Sequence, residues 1–428
     1  MNAGPKPPGW QSLVVFAVAG LLPAPWIAAH EIRGLGFEPE TVSALAGLAI
    51  VGGAFVLSWA TELAERDIPQ ALAILFLALV SVLPEYAVDL HFAWTAGKDL
   101  SYAPYAVANM TGANRLLIGF GWALVVLIAC RRSGTSELAI HPRQRLEIRF
   151  LLWSTLYSFV IPLTGTISLF DAAVLFAIFF RYAHAAASSE SESPGLVGPA
   201  ALIDRVYGDT GRRLWAIAMF LYAGYAILIA AEPFADGLVE IGRTHDFDEF
   251  LLVQWVAPLA SESPEFLIAV LFALRGRGSV GIGALISSKV NQWTLLVGAI
   301  PIAFCLSAGS LRGLPLDARQ TEELILTSTQ SLLATILIID LRFSRSEALM
   351  LAVLFGGQFL FTSTEVRYLF IALYLAISIG LLVRSRQRRS DLWHLIFASP
   401  SAGDGGHAPH GDAGHPPHGD GGHPPHGS

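Results

Sequence analysis

The sequence predicts an all-α polytopic membrane protein of about twelve transmembrane helices, folded as two inverted-topology repeats. Three observations carry this expectation. The 428 residues are 54% hydrophobic and only 14% charged, with a mean hydropathy of +0.55, whereas soluble domains carry roughly 25% charged residues. Apolar runs of about 20 residues, long enough to cross a bilayer, recur along nearly the whole chain. A Pro-Glu pair interrupts one such run in each half, at Pro84-Glu85 and at Pro264-Glu265.

The runs fall near 11–29, 41–63, 71–96, 102–130, 148–166, 169–187, 213–235, 249–273, 280–308, 324–341, 346–362 and 367–384. The first follows only Lys6 and has no A-x-A site, so it reads as a retained helix rather than a cleaved signal. The linker at about 188–212 begins with the Ser- and Glu-rich stretch Ser188 to Gly195 and divides six runs from six. Residues 1–187 and 213–390 are therefore expected as the two membrane repeats, and 391–428 as a tail. The tail opens with Asp391 to Phe397, a candidate interfacial helix. It then repeats His407-Ala408-Pro409-His410, His415-Pro416-Pro417-His418 and His423-Pro424-Pro425-His426 at a period of eight. Gly and Pro at that density predict no regular structure.

Several classes are excluded. Ten-residue strands of alternating hydrophobicity, the mark of a membrane β-barrel, are absent. No basic tract offers a nucleic acid a surface. Cys130 and Cys305 lack CxxC spacing and read as packing residues. His30-Glu31 has no second His for H-E-x-x-H, and no G-x-S-x-G elbow occurs, so no enzyme and no cofactor is expected.

Lys and Arg set the expected orientation. With the N-terminus inside, the inner loops collect eighteen Lys and Arg, among them Arg131, Arg132, Arg275 and Arg277. The outer loops collect six: Arg33, Lys98, Arg243, Arg312, Arg319 and Arg367. Both termini are thus expected in the cytoplasm. The loop after the first Pro-Glu helix, at Lys98, then lies outside, and the loop after the second, at Arg275-Gly276-Arg277, lies inside. The two hairpins cross in opposite senses, the arrangement of alternating-access carriers. Asp171, Glu232 and Asp340 fall near span ends and read as solvated caps.

Each hairpin has the same parts in the same order. A helix with Ser four residues before Glu comes first, then a short loop, then a helix with Asn at mid-depth. The first set is Ser81, Glu85 and Asn114. The second is Ser261, Glu265 and Asn291, with Ser287 one turn earlier. Residues i and i+4 share a helix face. Carboxylate, hydroxyl and amide oxygens, with carbonyls freed by proline, make a hard-oxygen set suited to Ca²⁺ or Na⁺. Two carboxylates would neutralise one divalent ion at a depth where unpaired charge is expensive.

These segments, about 76–130 and 250–308, resemble the α-repeats of the cation/calcium exchanger superfamily, the sodium/calcium exchanger-like carriers. The pattern there is a G-[ST]-S-x-P-E helix followed by a G-S-N-x-x-[ND] helix. The resemblance implies a secondary cation antiporter exchanging Ca²⁺ or another divalent ion for H⁺ or Na⁺. It implies Glu85 and Glu265 as the paired ion-binding acids, Ser81 and Ser261 as the first hydroxyls, Asn114 and Asn291 as the amides, and Ser287 as the Ser of G-S-N.

The departures are specific. Val82 and Glu262 stand where a second hydroxyl is expected, and Met110 where the first G-S-N has Ser. Arg115 and Lys289 lie at mid-depth beside Asn114 and Asn291. A buried cation needs a partner. The expected partners are Glu85 with Asp89 for one, and Glu262 with Glu265 for the other. Arg115 and Lys289 are read as tethered cations standing where a sodium-coupled relative would bind extra Na⁺, which favours proton coupling. Clustered, desolvated acids hold protons tightly enough to exchange them for a metal ion.

Six of the 12 histidines, His407, His410, His415, His418, His423 and His426, sit in the tail. Imidazoles suit Zn²⁺ or Ni²⁺ and bind Ca²⁺ poorly. The alternative function is therefore a transition-metal efflux carrier or a non-transporting, metal-sensing homologue. The expected partners are the lipid bilayer and small cations, in a bacterial-type plasma (inner) membrane. No feature of the sequence sets an oligomeric state.

Overall fold

The computed structural model describes residues 9–32, 36–68, 80, 82–187, 196 and 198–397. Helices α1 (Gly9–Leu21), α2 (Ala24–Glu31) and α3 (Pro39–Ala64) open the chain. The first hairpin is α4 (Leu83–Lys98), α5 (Ala103–Leu116) and α6 (Ala123–Ser133). Helices α7 (Arg145–Ser158), α8 (Ile161–Thr164) and α9 (Leu169–Ala187) complete the first half. The expected linker contains α10 (Gly198–Val206) and the start of α11 (Asp209–His245). The second hairpin is α12 (Glu249–Ser261), α13 (Ser263–Leu274), α14 (Gly278–Asn291) and α15 (Val297–Ala308). Helices α16 (Ala318–Ile338), α17 (Arg345–Leu360), α18 (Thr364–Arg384) and α19 (Arg386–Phe397) follow.

The chain is an integral membrane protein. Among the described residues eight helical stretches are long and apolar enough to cross a bilayer, and α12 with α13, bent by 56°, makes a ninth. The twelve expected spans also counted α16, α17 and the run into α4. Helix α17 has 16 residues, about 24 Å at 1.5 Å per residue, short of the ~30 Å hydrocarbon layer. Helix α16 is long enough but polar, with Gln320, Glu322, Glu323, Thr327 and Gln330 all buried. Residues 71–79 and 81 of the third run lie outside the described residues.

Neither proline sits where the sequence placed it, inside a continuous helix. The backbone leaves helical geometry at Val82 (φ −100°, ψ 16°) and bends at Glu262 (φ −92°, ψ −2°). A new helix starts one residue later. Pro84 and Pro264 then occupy its first turn, where a missing N–H removes no hydrogen bond. Glu85 and Glu265 follow at the positive end of the helix dipole.

Contacts at the hairpin ends fix their relative sense. A Cβ on Gly97, near the end of α4, would lie 2.6 Å from Ser307 Cβ, near the end of α15. A Cβ on Gly278, just after α13, would lie 2.5 Å from Ala129 Cβ, near the end of α6. The first Pro-Glu helix therefore ends beside the finish of the second hairpin, and the second Pro-Glu helix ends beside the finish of the first. The hairpins are antiparallel. Helix α4 packs on α15 as α13 packs on α6. Both hairpins close on a left-handed glycine, Gly134 (φ 70°) and Gly309 (φ 60°).

Helix α11, 37 residues and about 55 Å long, packs along α3. Small residues permit the approach: a Cβ on Gly47 would lie 3.0 Å from Phe234, and one on Gly53 2.9 Å from Ile227. Two short antiparallel ribbons tie the halves together. Glu137–Ala139 pairs with Arg342–Ser344, and Thr166–Ile167 with Leu314–Pro315.

Candidate ion-binding site

The two breaks bring the acids of both hairpins into one neighbourhood. Glu85 is fully buried. The charges that bear on it are those of Glu265 first, then Glu262 and Asp89. Glu262 sits at the α12–α13 bend and accepts from Gln292 Nε2 at 2.7 Å. Asp89, one turn after Glu85, accepts from Asn109 Nδ2 at 2.8 Å. Glu265 is half-buried.

Five carboxylate oxygens here are buried without a hydrogen-bond partner: both of Glu85 and one each of Asp89, Glu262 and Glu265. Asn291 Oδ1 is a sixth buried, unpaired acceptor. Buried acceptors are normally satisfied, and five of these belong to carboxyl groups held away from water. Protons on the carboxylates, or a cation shared by a pair of them, would satisfy acid oxygens in this set. Among the described residues no three His, Cys, Asp or Glu side chains close on a common point tightly enough to ligate a metal.

The other expected positions divide. Ser261 donates to Ala257 O at 3.2 Å, so its proton stays on its own helix and its lone pairs remain. Ser287 reaches Tyr182 on α9. Ser81 lies outside the described residues, as do the tail histidines His407, His410, His415, His418, His423 and His426. Asn114 donates to Met110 O at 2.7 Å, and its Oδ1 accepts from Lys289 Nζ.

The expected partners of the two cations are not the observed ones. Arg115 turns away from Glu85 and Asp89 and pairs with Glu323 of α16 at 2.5 Å, stacking over Trp255 at 5.0 Å. Lys289 crosses between the hairpins to Asn114, donating to its side chain and to its backbone carbonyl at 3.3 Å. Its ammonium also lies 4.3 Å from the centre of Trp293. Glu262 is within electrostatic reach of Lys289 without forming an ion pair. Asp171, expected as a solvated cap, does cap α9 through Ser168 N at 2.7 Å, but it is buried and accepts from Tyr157 OH at 2.7 Å. Asp340 is also engaged, by Arg388 at 3.0 Å.

Sequence reasoning missed Glu322, Glu323 and Arg367, a buried ion-pair group on α16 and α18. A tenth span starting at 324 excludes both acids, and Arg367 falls at the start of the twelfth span among the outer-loop cations. The signal was present in the polar run Gln320-Thr321-Glu322-Glu323 followed by Thr327-Ser328-Thr329-Gln330-Ser331. Also missed were matching π-helical turns just after Asn114 and Asn291, at Leu117–Trp122 and Gln292–Leu296. Such turns concentrate at functional sites. Here they carry Trp122 and Trp293, the largest fully buried side chains among the described residues.

The model of the sodium/calcium exchanger protein family matches residues 41–186 and 215–364, which span both hairpins. The chain belongs to that family. The exchanger is similar to the crystal structure of an H⁺/Ca²⁺ exchanger, CAX. Identity is 44% over 91% of this chain and 98% of that one, with a TM-score of 0.85. It also shares its fold with YfkE, at 12% identity, 87% and 99% coverage and a TM-score of 0.55. The sodium-calcium exchanger NCX_Mj shares the fold too, at 18% identity, 75% and 97% coverage and a TM-score of 0.50. No curated protein sequence matches the chain.

Proposed function

We propose that this exchanger carries Ca²⁺ across the membrane in exchange for H⁺, by alternating access at a site built on Glu85 and Glu265. The observation that carries the reading is the set of buried, unpaired acid oxygens contributed by antiparallel hairpins. Hard oxygens suit Ca²⁺, and two carboxylates neutralise it. With protons on the same oxygens the site is neutral without metal, so the two ions compete for one place. The similarity to CAX, an H⁺/Ca²⁺ exchanger, supports the same pair of ions here.

Glu262, Ser261 and Asn291 are the further candidate ligands, with Ser81 and Ser287 completing the hydroxyl set. Lys289 acts as a tethered cation. It takes the two oxygens of Asn114 that an additional Na⁺ would use, which favours proton over sodium coupling. We place both termini in the cytoplasm of a bacterial-type inner membrane, from the distribution of Lys and Arg. Residues 1–187 and 213–390 are then the two inverted repeats. The Lys98 end of α4 faces outward and the Arg275 end of α13 inward.

The test is ⁴⁵Ca²⁺ uptake by proteoliposomes, with pH and Na⁺ gradients imposed separately. A pH step is expected to drive saturable uptake and a Na⁺ gradient is not. Glu85→Gln and Glu265→Gln are each expected to abolish uptake. Uptake indifferent to both substitutions removes the site assignment, and uptake driven by Na⁺ alone removes the proton arm.

A further inference from the structure

Glu323 belongs to α16, outside both hairpins, yet it is the partner of a residue directly beside the site. Arg115 follows Asn114 in sequence, so its side chain leaves the backbone one residue from the contact between Lys289 and Asn114. The Arg115–Glu323 pair is 2.5 Å long and its side chains are 2% and 4% exposed. Neighbouring groups hold it on the α12 side of α5. Trp255 of α12 stacks on the guanidinium. Gln254 Nε2 donates to Glu323 Oε2 at 3.1 Å and to Thr111 Oγ1 at 3.3 Å. The Arg115 carbonyl accepts from Gln330 Nε2 at 3.1 Å, and Gln330 Oε1 accepts from Gln358 at 2.8 Å. Arg367 lies 3.8 Å from Glu323 and pairs with Glu322 at 2.8 Å. The group holds two acids and two cations.

Charge acts over long distances where water is excluded. A lone guanidinium next to Asn114 would oppose the arrival of any cation between Glu85 and Glu265. Paired, its field is largely cancelled at the site. We propose that Glu323 is a positioning residue for Ca²⁺ binding: it neutralises Arg115 and holds it off the paired hairpin acids, and so sets the affinity of a site it does not touch. The inference rests on the reading of Glu85 and Glu265 as Ca²⁺ ligands. A strut that merely joined α5 to α16 would change stability and leave affinity alone.

The experiment measures the KM and maximal rate of ⁴⁵Ca²⁺ uptake in proteoliposomes, with the melting temperature in detergent beside them. Glu323→Gln is expected to raise KM for Ca²⁺ about tenfold, with a smaller change in maximal rate. Arg115→Met removes that positive charge, leaves Glu323 with Arg367 at 3.8 Å as its remaining cation, and is expected to lower KM. The double variant R115M/E323Q is expected to return KM to within about twofold of wild type, whatever its melting temperature. A KM unchanged in E323Q, unchanged or raised in R115M, or no nearer wild type in the double variant than in E323Q overturns the proposal. If E323Q does not fold, R115M and the double variant still decide it. Uptake that persists in Glu85→Gln and Glu265→Gln would instead sink the underlying site assignment.

Discussion

Lys289 of the second hairpin donates to both oxygens of Asn114 in the first, so one amine ties the two hairpins together. The contact places the Lys289 amine within electrostatic reach of Glu262. Lys289→Met keeps the apolar stem and removes the charge. The site then becomes more negative, and two acceptors on Asn114 lose their donor. Apparent KM for Ca²⁺ is expected to fall roughly tenfold, equivalent to about 1.4 kcal/mol. Maximal flux falls as well, because release slows. Na⁺, expected to leave the wild type unaffected, is expected to inhibit the variant by taking the freed oxygens. Concentration series of ⁴⁵Ca²⁺ uptake with and without Na⁺ check both effects, and an unchanged KM would contradict the charge argument.

Gly112 sets how closely the first hairpin can approach the second. A Cβ there would lie 1.8 Å from the carbonyl oxygen of Gln254, which is backbone and cannot rotate away. Gly112→Ala therefore forces α5 and α12 apart. Overpacking of a tight core commonly costs about 1–3 kcal/mol, and a clash this short belongs at or above the upper end. The expected result is loss of monodisperse protein or a large drop in melting temperature. Gly224→Ala, where nothing lies within 4 Å of the new methyl, is the control and is expected to behave as wild type.

Most of the fold was legible because lipid enforces a simple code. Long apolar runs become helices, and Lys and Arg flank them on a preferred side. The hairpins were legible because Ser-x-x-x-Glu and a later Asn recur in order. Residues that are polar on a buried helix were not legible. Hydropathy reads Glu322 and Glu323 as loop, although α16 is surrounded by protein and not lipid, and their partners Arg115 and Arg367 come from α5 and α18. Pairing across such sequence separations depends on packing. For the same reason the sequence offered Glu85 to Arg115 on proximity along the chain, and the structure gives it Glu323. The breaks before the prolines were hidden as well. A Pro-Glu pair has the same letters inside a kinked helix as at the start of a new one.

Two acids just beyond the end of α3 titrate in opposite directions. Burial pushes the Glu65 carboxyl up to about 7, from an ordinary value of about 4.3. Hydrogen bonds from Arg213, with further help from Arg212, hold Asp67 below the usual carboxylate range against the opposing effect of burial. By linkage, Glu65 favours the folded state below its unfolded value, and that contribution is lost as pH rises towards 7. Asp67 stabilises above its unfolded value, and its contribution is lost as pH falls through its depressed folded value. Glu65→Gln is thus expected to raise the melting temperature at pH 8 and leave it unchanged at pH 4. Asp67→Asn is expected to lower it at pH 8 and to matter least in strong acid. Melting curves of the purified protein across pH check both signs, and a common sign would refute the assignment.

Arg367 tests whether the charges buried on α16 and α18 are structural in their own right. Its guanidinium is 8% exposed and meets Glu322, 9% exposed, at 2.8 Å. It also donates to the carbonyl of Thr362 at 2.5 Å and to Thr364 Oγ1 at 2.9 Å, closing the turn before α18. Removing one partner of a buried pair strands the other, typically at about 3–5 kcal/mol, whereas removing both is often close to neutral. Arg367→Met is therefore expected to destabilise strongly, and R367M/E322L to recover most of the loss. Recovery will be incomplete, because the Thr362 carbonyl still lacks its donor. The pair adjoins Glu323, so a residual effect on Ca²⁺ KM is expected in R367M and not in Gly224→Ala. Thermal unfolding of the single and double variants gives the coupling directly. A double variant as unstable as R367M alone would mean that the loss comes from the broken turn, not from the stranded Glu322.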